Sequence, residues 1–262
     1  MKNCIITQAK DQSTRFKDWI LYHKEEGFDT IIYFDDYSED ISVEIIKDIS
    51  DKYDVNIIIN YSDNIGNKKT KQEMSNSNSY GGDTSINNRL IRSYNSGLEI
   101  VKSINPDAVC AIIDVDEFLV SNSDKKVTEV ISNLMSINNT KHLYINSFDI
   151  SDEFNTMDNW YSTNENTKYR WDYEYRQNTI YNTRGKSVCI ASEIVDIPQG
   201  PNYIHVLKDF DSQYFNKMNV SDYDLLRMHH YRKPCMDRSF KFIEDRTILD
   251  KMIKIKNKYE GI

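Results

Sequence analysis

Apolar and polar positions alternate between two periods along the first 120 residues. "NCIITQA" (3–9) is a short β-branched run that ends in polar residues, the pattern of a buried strand. In "STRFKDWILYHKEEGF" (13–28), Phe16, Trp19, Ile20 and His23 recur at i, i+3, i+4 and i+7. That spacing predicts a helix with one apolar face, with Ser13 as N-cap and Gly27 as its stop. "DTIIYF" (29–34) is a second strand, followed by the acidic turn "DDYSED" (35–40). "ISVEIIKDISDKY" (41–53) has helical spacing again, and "VNIIIN" (55–60) is a third strand. A β-α-β-α-β order implies a parallel sheet with right-handed crossovers.

Residues 61–84 break this rhythm with Asn, Ser and a Gly pair, which predicts a long mobile loop, of the kind that is either a functional lid or disordered. A helix is expected over roughly 85–103, then a strand running into "AIIDVDEFLV" (111–120). Beyond Phe118 the pattern becomes irregular. It offers a short helix near 125–137, a strand at 141–148 and an aromatic-rich polar segment at 158–178. Short β segments follow at 179–182, 187–192 and 202–207, and the last part (222–255) reads as mostly helical. No repeat or domain-sized linker interrupts the chain. The expectation is one domain, 1–262, in two halves: 1–120 with the nucleotide-type α/β pattern and 121–262 of irregular character.

Composition narrows the partners. A net charge of −8 and a pI near 5.2 argue against a nucleic-acid backbone, which needs a basic face. Small anionic ligands held through a metal ion remain open. Cys4, Cys110, Cys189 and Cys235 lie far apart, with no CxxC pair, and read as free thiols of a reducing compartment. The N-terminus has no signal-peptide pattern, and no apolar run reaches the ~18 residues of a membrane span. A soluble, cytoplasmic protein is expected. The basic "DKMIKIKNKY" (250–259) reads as a solvated helix end, with peripheral contact to a membrane surface as its other reading. The Asn-, Ile- and Lys-rich composition fits an AT-rich bacterial or viral genome.

Asp114, Asp116 and Glu117 put three carboxylates in four positions at the end of a buried strand. Unpaired, they repel one another and lose hydration, so a divalent cation that prefers oxygen ligands is an expected companion, Mn²⁺ or Mg²⁺. The other reading is an ordinary acidic turn in which one Asp caps the next element. The carboxyl end of a strand is where open α/β sheets bind ligands, which favours the cation. Phosphatases of the haloacid-dehalogenase type also place DxD after an apolar strand. They require a small hydroxyl residue two positions later and begin their domain with that strand, whereas Phe118 stands here and 113 residues precede the motif.

The chain resembles GT-A-fold glycosyltransferases of the family-2-like group, near the family 92 branch. Four stretches carry the resemblance: "KDQSTRFKDWILYHKEEGFDTIIYFDDYSED", "DVDEFL", "KSVCIASEIVDIPQGPNYIHVL" and "MHHYRKPCMDRSFKF". Two departures stand out: Lys10-Asp11-Gln12 where the group has Lys-Asn-Glu, and Asp36 where it has Asn. The resemblance implies an α/β fold with a GT-A-type, Rossmann-like, mostly parallel sheet flanked by helices and an irregular acceptor-side second half. It implies a metal-dependent, inverting glycosyltransferase that moves a sugar, a hexose or pentose, from a nucleotide-diphosphate donor to a hydroxyl of a glycan or related acceptor.

For the site, the resemblance implies that Lys10, Asp35 and Ser38 serve the nucleoside side and Arg89 neutralises a phosphate. Asp114, Val115 and Asp116 form the motif, with Asp116 the direct metal ligand and Asp114 acting through water or the ribose. His230 or His229 would complete the metal or pyrophosphate site, and His205 is a weaker candidate. His23 fits core packing, and His142 has no case. An inverting enzyme needs a carboxylate to take the acceptor's proton. Glu174, among aromatics, is the first choice and Asp149 the second. Trp160, Tyr161, Tyr169, Trp171, Tyr173 and Tyr175 suit either a core or a sugar-stacking cleft. A nucleotidyltransferase is the near alternative, although "TQAKDQ" lacks the glycines of its phosphate loop. A non-catalytic sugar- or nucleotide-binding module is the other alternative.

Overall fold

β-Branched runs become the central strands, and their alternation decides which helix each residue meets. The computed structural model describes residues 3–62, 86–149, 169–171, 185–197, 206–207, 225–230, 242–244 and 247–260. In chain order these form β1 (Cys4–Ala9), α1 (Phe16–Glu25), β2 (Thr30–Asp35), α2 (Ser42–Tyr53), β3 (Asn56–Tyr61), α3 (Ile86–Ile104) and β4 (Val109–Ile112). They continue with β5 (Glu117–Ser121), α4 (Val127–Ile137), β6 (His142–Asp149), β7 (Tyr169–Trp171), β8 (Gly185–Ile190), β9 (Ile194–Asp196), β10 (Val206–Leu207), β11 (Leu226–His230), β12 (Phe242–Glu244) and α5 (Thr247–Glu260).

Eight strands form one sheet in the order β3-β2-β1-β4-β8-β6-β11-β5. β3, β2, β1 and β4 are parallel, as the β-α-β-α-β reading requires. β8 enters antiparallel between β4 and β6, β11 runs parallel to β6, and β5 closes the edge antiparallel to β11. The fold is mixed α/β with a mostly parallel sheet flanked by helices, and both halves of the chain supply strands to it.

Alternation along β1 sends Ile5 into a core shared with α1, α2, α4 and α5, and sends Cys4 and Ile6 into a second core under α3. Cys4, Cys110 and Cys189 are buried free thiols, in register side by side across β1, β4 and β8. Among the described residues, no helix is long and apolar enough to cross a membrane.

The structure departs from the sequence reading at three elements. α1 starts at Phe16, and Ser13 does not cap it. Its amide donates to the Asp40 carboxylate (3.1 Å), while Gln12 N–H donates to Ser42 Oγ (2.9 Å), so the acidic turn takes these amides. Gly27 does end the helix, at φ +96°, where a Cβ would lie 2.1 Å from Thr128 Oγ1. The pattern expected to turn irregular beyond Phe118 continues as β5 to Ser121, and "LRMHH", expected as helix, is β11, inside the sheet. Its helix-like apolar spacing gives way to pairing on both sides, and within 222–255 the described helix begins only at Thr247. The loop at 61–84 and the aromatic segment at 158–178 lie almost wholly outside the described residues.

Candidate active site

The carboxyl ends of β1, β2 and β4 open on one cleft of about 370 Å³. Two loops form one side of it. After β1, Asp11 (φ 53°) donates its N–H to Ser38 Oγ (3.0 Å) and accepts from Glu39 N–H (2.6 Å). After β2, Tyr37 is also at positive φ (62°). Two non-glycine residues in the left-handed region, at loops bonded to each other, mark a backbone that the rest of the fold holds in place.

The floor is the "DVDE" turn. Val115 is buried and pins it, and Glu117 N–H closes it on the Asp114 carbonyl (3.0 Å). Asp114 Oδ1 accepts from Tyr94 OH (3.2 Å), and Oδ2 accepts from Lys186 Nζ (3.0 Å). Lys186 also meets Glu117 Oε2 (3.1 Å), which in turn accepts the Asp114 amide (2.8 Å). Lys186 is 1% exposed and Glu117 2%. Burial pushes the Glu117 carboxyl up to about 7, against the pull of the Lys186 charge. Burial alone would lower Lys186, but Asp114 and Glu117 raise it above the usual range.

This arrangement adds an internal counter-charge that the sequence reading did not include: one ammonium from β8 is shared by Asp114 and Glu117. Asp116 is the third carboxylate. Its Oδ2 lies 3.5 Å from His230 Nε2, and both side chains are partly exposed on the cleft. Burial would raise its pKa, but the hydrogen bond with His230, that ring's charge, Arg15 and Lys186 together hold it below the usual carboxylate range.

The predicted residues divide clearly. Lys10, Asp114, Val115, Asp116 and His230 line the cleft together. Lys10 pairs with Glu39 (3.5 Å) and Asp11 (3.9 Å). Asp35 turns away: it is buried, its Oδ1 accepts from Tyr33 OH (2.9 Å) and its Oδ2 from Ser38 N–H (3.2 Å). Its neighbour Asp36 reaches the cleft wall instead, gripped by Arg89 through two bonds of 2.7 and 2.8 Å.

His229 is fully buried, takes a bond from Arg227 Nε (3.0 Å), and by strand alternation faces away from His230. Asp149 pairs in register with His230, which puts its backbone at the same sheet edge. Glu174, His205, Trp160, Tyr161, Tyr173 and Tyr175 lie outside the described residues, and Tyr169 and Trp171 are described only as backbone of β7. His23 is buried among Trp19, Tyr22, Phe28 and Phe118, as expected of a core residue. His142 bonds Ser187 (3.1 Å).

Sequence reasoning missed Lys186, Tyr94, Arg15 and Gln8, while Gln12, noted there as part of the opening turn, lines the cleft. Lys186 had one signal: a lysine inside the apolar run "GKSVCI", where burial demands a counter-charge. Arg15 and Gln8 had none, because their place depends on loop geometry.

Asp116 and His230 are the residues that could hold a cation here. Among the described residues, no group of three or more His, Cys, Asp or Glu forms a closed metal cage. Asp116 and His230 present two donors 3.5 Å apart, near the ~3 Å between adjacent ligands of an octahedral ion with ~2.1 Å bonds. Such ions are commonly held by one or two side chains, with substrate phosphates and water completing the shell.

No family model matches the chain, and no curated protein matches it. Among solved structures, it is similar to S. aureus TarS 1-349 at 13% identity and a TM-score of 0.42, covering 100% of this chain and 65% of that one. It is similar to glucosyl-3-phosphoglycerate synthase from Mycobacterium tuberculosis, in complex with Mn²⁺, UDP-glucose and phosphoglyceric acid, at 10% identity and a TM-score of 0.30, covering 58% and 45%. HddC from Yersinia pseudotuberculosis matches at 11% identity and a TM-score of 0.36, covering 99% and 100%. The chain thus spans less than two thirds of the first two.

Proposed function

We propose that the chain is a metal-dependent, inverting glycosyltransferase of GT-A type, acting from a nucleoside-diphosphate sugar on a hydroxyl acceptor such as a glycan. The observation that carries this reading is the pairing of Asp116 with His230 at the carboxyl edge of the sheet, in a cleft that also holds Lys10 and Arg15. Two donors for one Mn²⁺ or Mg²⁺ face two cations suited to a diphosphate.

Asp116 and His230 would hold the ion, which when bound supplies Lewis-acid stabilisation of the departing nucleoside diphosphate. Arg15 and Lys10 add fixed positive charge beside the leaving group. Asp36, braced by Arg89, and Gln12 offer polar contacts to the nucleoside side. The acceptor oxygen attacks the anomeric carbon as the bond from that carbon to the diphosphate oxygen breaks. Its proton passes to a carboxylate on the acceptor side, Glu174 or Asp149. The backbone of Asp149 adjoins that of His230 in the sheet, which supports Asp149 for this role.

Product analysis tests this reading. Incubation with a panel of nucleotide sugars and Mn²⁺ is expected to release nucleoside diphosphate and free or transferred sugar, and the Asp116→Asn variant is expected to release neither. Pyrophosphate release from a nucleoside triphosphate and a sugar phosphate, with no turnover of any nucleotide sugar, would assign nucleotidyl transfer instead.

A further inference from the structure

Lys186 is a fully buried ammonium that pairs with two carboxylates of the "DVDE" turn, Asp114 at 3.0 Å and Glu117 at 3.1 Å. Asp114 is thereby engaged on both oxygens, by Lys186 and by Tyr94 OH, although its side chain is 35% exposed on the cleft. Glu117 Oε2 also accepts the Asp114 amide, so Glu117 fixes the backbone of Asp114 while Lys186 and Tyr94 fix its side chain. A divalent ion on Asp114 Oδ2 would sit within a few ångströms of the ammonium, where like charges in a partly desolvated site repel strongly. Asp116 feels the Lys186 charge as well, but its direct contact is with His230 on the cleft-facing side, 3.5 Å away.

We propose that Lys186 is a positioning residue, a resident cation that withholds Asp114 from the metal and leaves Asp116 and His230 as the pair that binds it. Asp114 then keeps its outward lone pairs for a hydroxyl of the donor. The two aspartates of one motif thus have separate tasks, and a strand joined to the site only by sheet pairing assigns them. This inference rests on the metal-dependent reading above.

Mn²⁺ alone, titrated into the full chain and followed by the electron paramagnetic resonance signal of the free ion, separates the two. Wild type is expected to take up Mn²⁺ at up to millimolar concentration. Asp116→Asn is expected to weaken it by about tenfold or more, the scale of losing a metal-site group, while Asp114→Asn stays within about twofold. Lys186→Met should tighten Mn²⁺ binding as the freed Asp114 turns to the ion, a gain that damage to the fold does not produce, and adding Asp114→Asn should abolish that gain.

An Asp114→Asn loss equal to that of Asp116→Asn overturns the inference, and this variant keeps the buried lysine, so it decides the matter even if Lys186→Met fails to fold. Wild type that takes up no Mn²⁺ overturns the metal reading itself. Uptake that depends equally on both aspartates overturns only the role of Lys186.

Discussion

Arg89 grips Asp36 through two bonds, 2.7 Å from Nε and 2.8 Å from NH2, with both side chains about 5% exposed. Arg89→Met leaves the Asp36 carboxylate buried without that partner, a loss of about 3–5 kcal/mol for a broken buried pair. In a chain of this size, even 3 kcal/mol corresponds to a fall in melting temperature of about 6–12 °C. Arg89→Lys keeps the charge but not the two-pronged geometry and is expected to lose about 1–2 kcal/mol. Combining Arg89→Met with Asp36→Leu removes both charges and should recover most of the loss, because hydrophobic replacement of a buried pair is often neutral. The assay is urea unfolding of the four members of the cycle, read as coupling energy. Additive single losses, with coupling below about 0.5 kcal/mol, would refute the pair's structural role and return Arg89 to the phosphate-binding role that its sequence position suggested.

Gly97 brings α3 against the sheet, where an added Cβ would lie 2.6 Å from Ile6 Cγ2 and 3.1 Å from Phe34 Cε2. Gly97→Ala should therefore cost about 1–3 kcal/mol of overpacking, offset by ~1 kcal/mol of helix propensity, and urea unfolding would show the difference. His23 is fully buried, its Nδ1–H donating to the Trp19 carbonyl (2.9 Å), and burial lowers its pKa to about 3 against that bond. The unfolded chain binds the proton that the native state refuses, so stability falls as pH drops from about 6.5 toward 3, by up to ~1.4 kcal/mol per unit, and His23→Leu should remove that share of the slope. Tyr94→Phe deletes one bond to Asp114 and should cost about 0.5–1.5 kcal/mol in unfolding while leaving Mn²⁺ uptake unchanged.

The first half of the fold was legible because its strands and helices are short, regular and apolar on the expected faces. The carboxylate motif was legible too, since an apolar strand running into Asp114 locates the sheet edge without knowledge of the other strands. What answers the charge was not. Lys186 lies 72 residues downstream, and its arrival at Asp114 depends on β8 entering antiparallel beside β4, a pairing that local sequence does not encode. β11 failed for a related reason: "LLRMHHYR" has helix-like spacing, and only the gap between β6 and β5 makes it a strand. Once it is a strand, alternation separates His229 from His230, a choice the helical reading left open. Asp35 and Asp36 show the limit at single-residue scale, where the turn after β2 decides which carboxylate reaches the cleft.

The most direct measurement is a thermal-shift titration of the full chain with nucleoside diphosphates, with and without Mn²⁺, on wild type and Asp116→Ala. A ligand that binds only the native state raises the melting temperature by mass action. A Mn²⁺-dependent rise is expected with at least one base, and it is absent in Asp116→Ala. A folded wild type that responds to no nucleoside diphosphate, or responds equally without the metal and without Asp116, would contradict the metal-dependent reading.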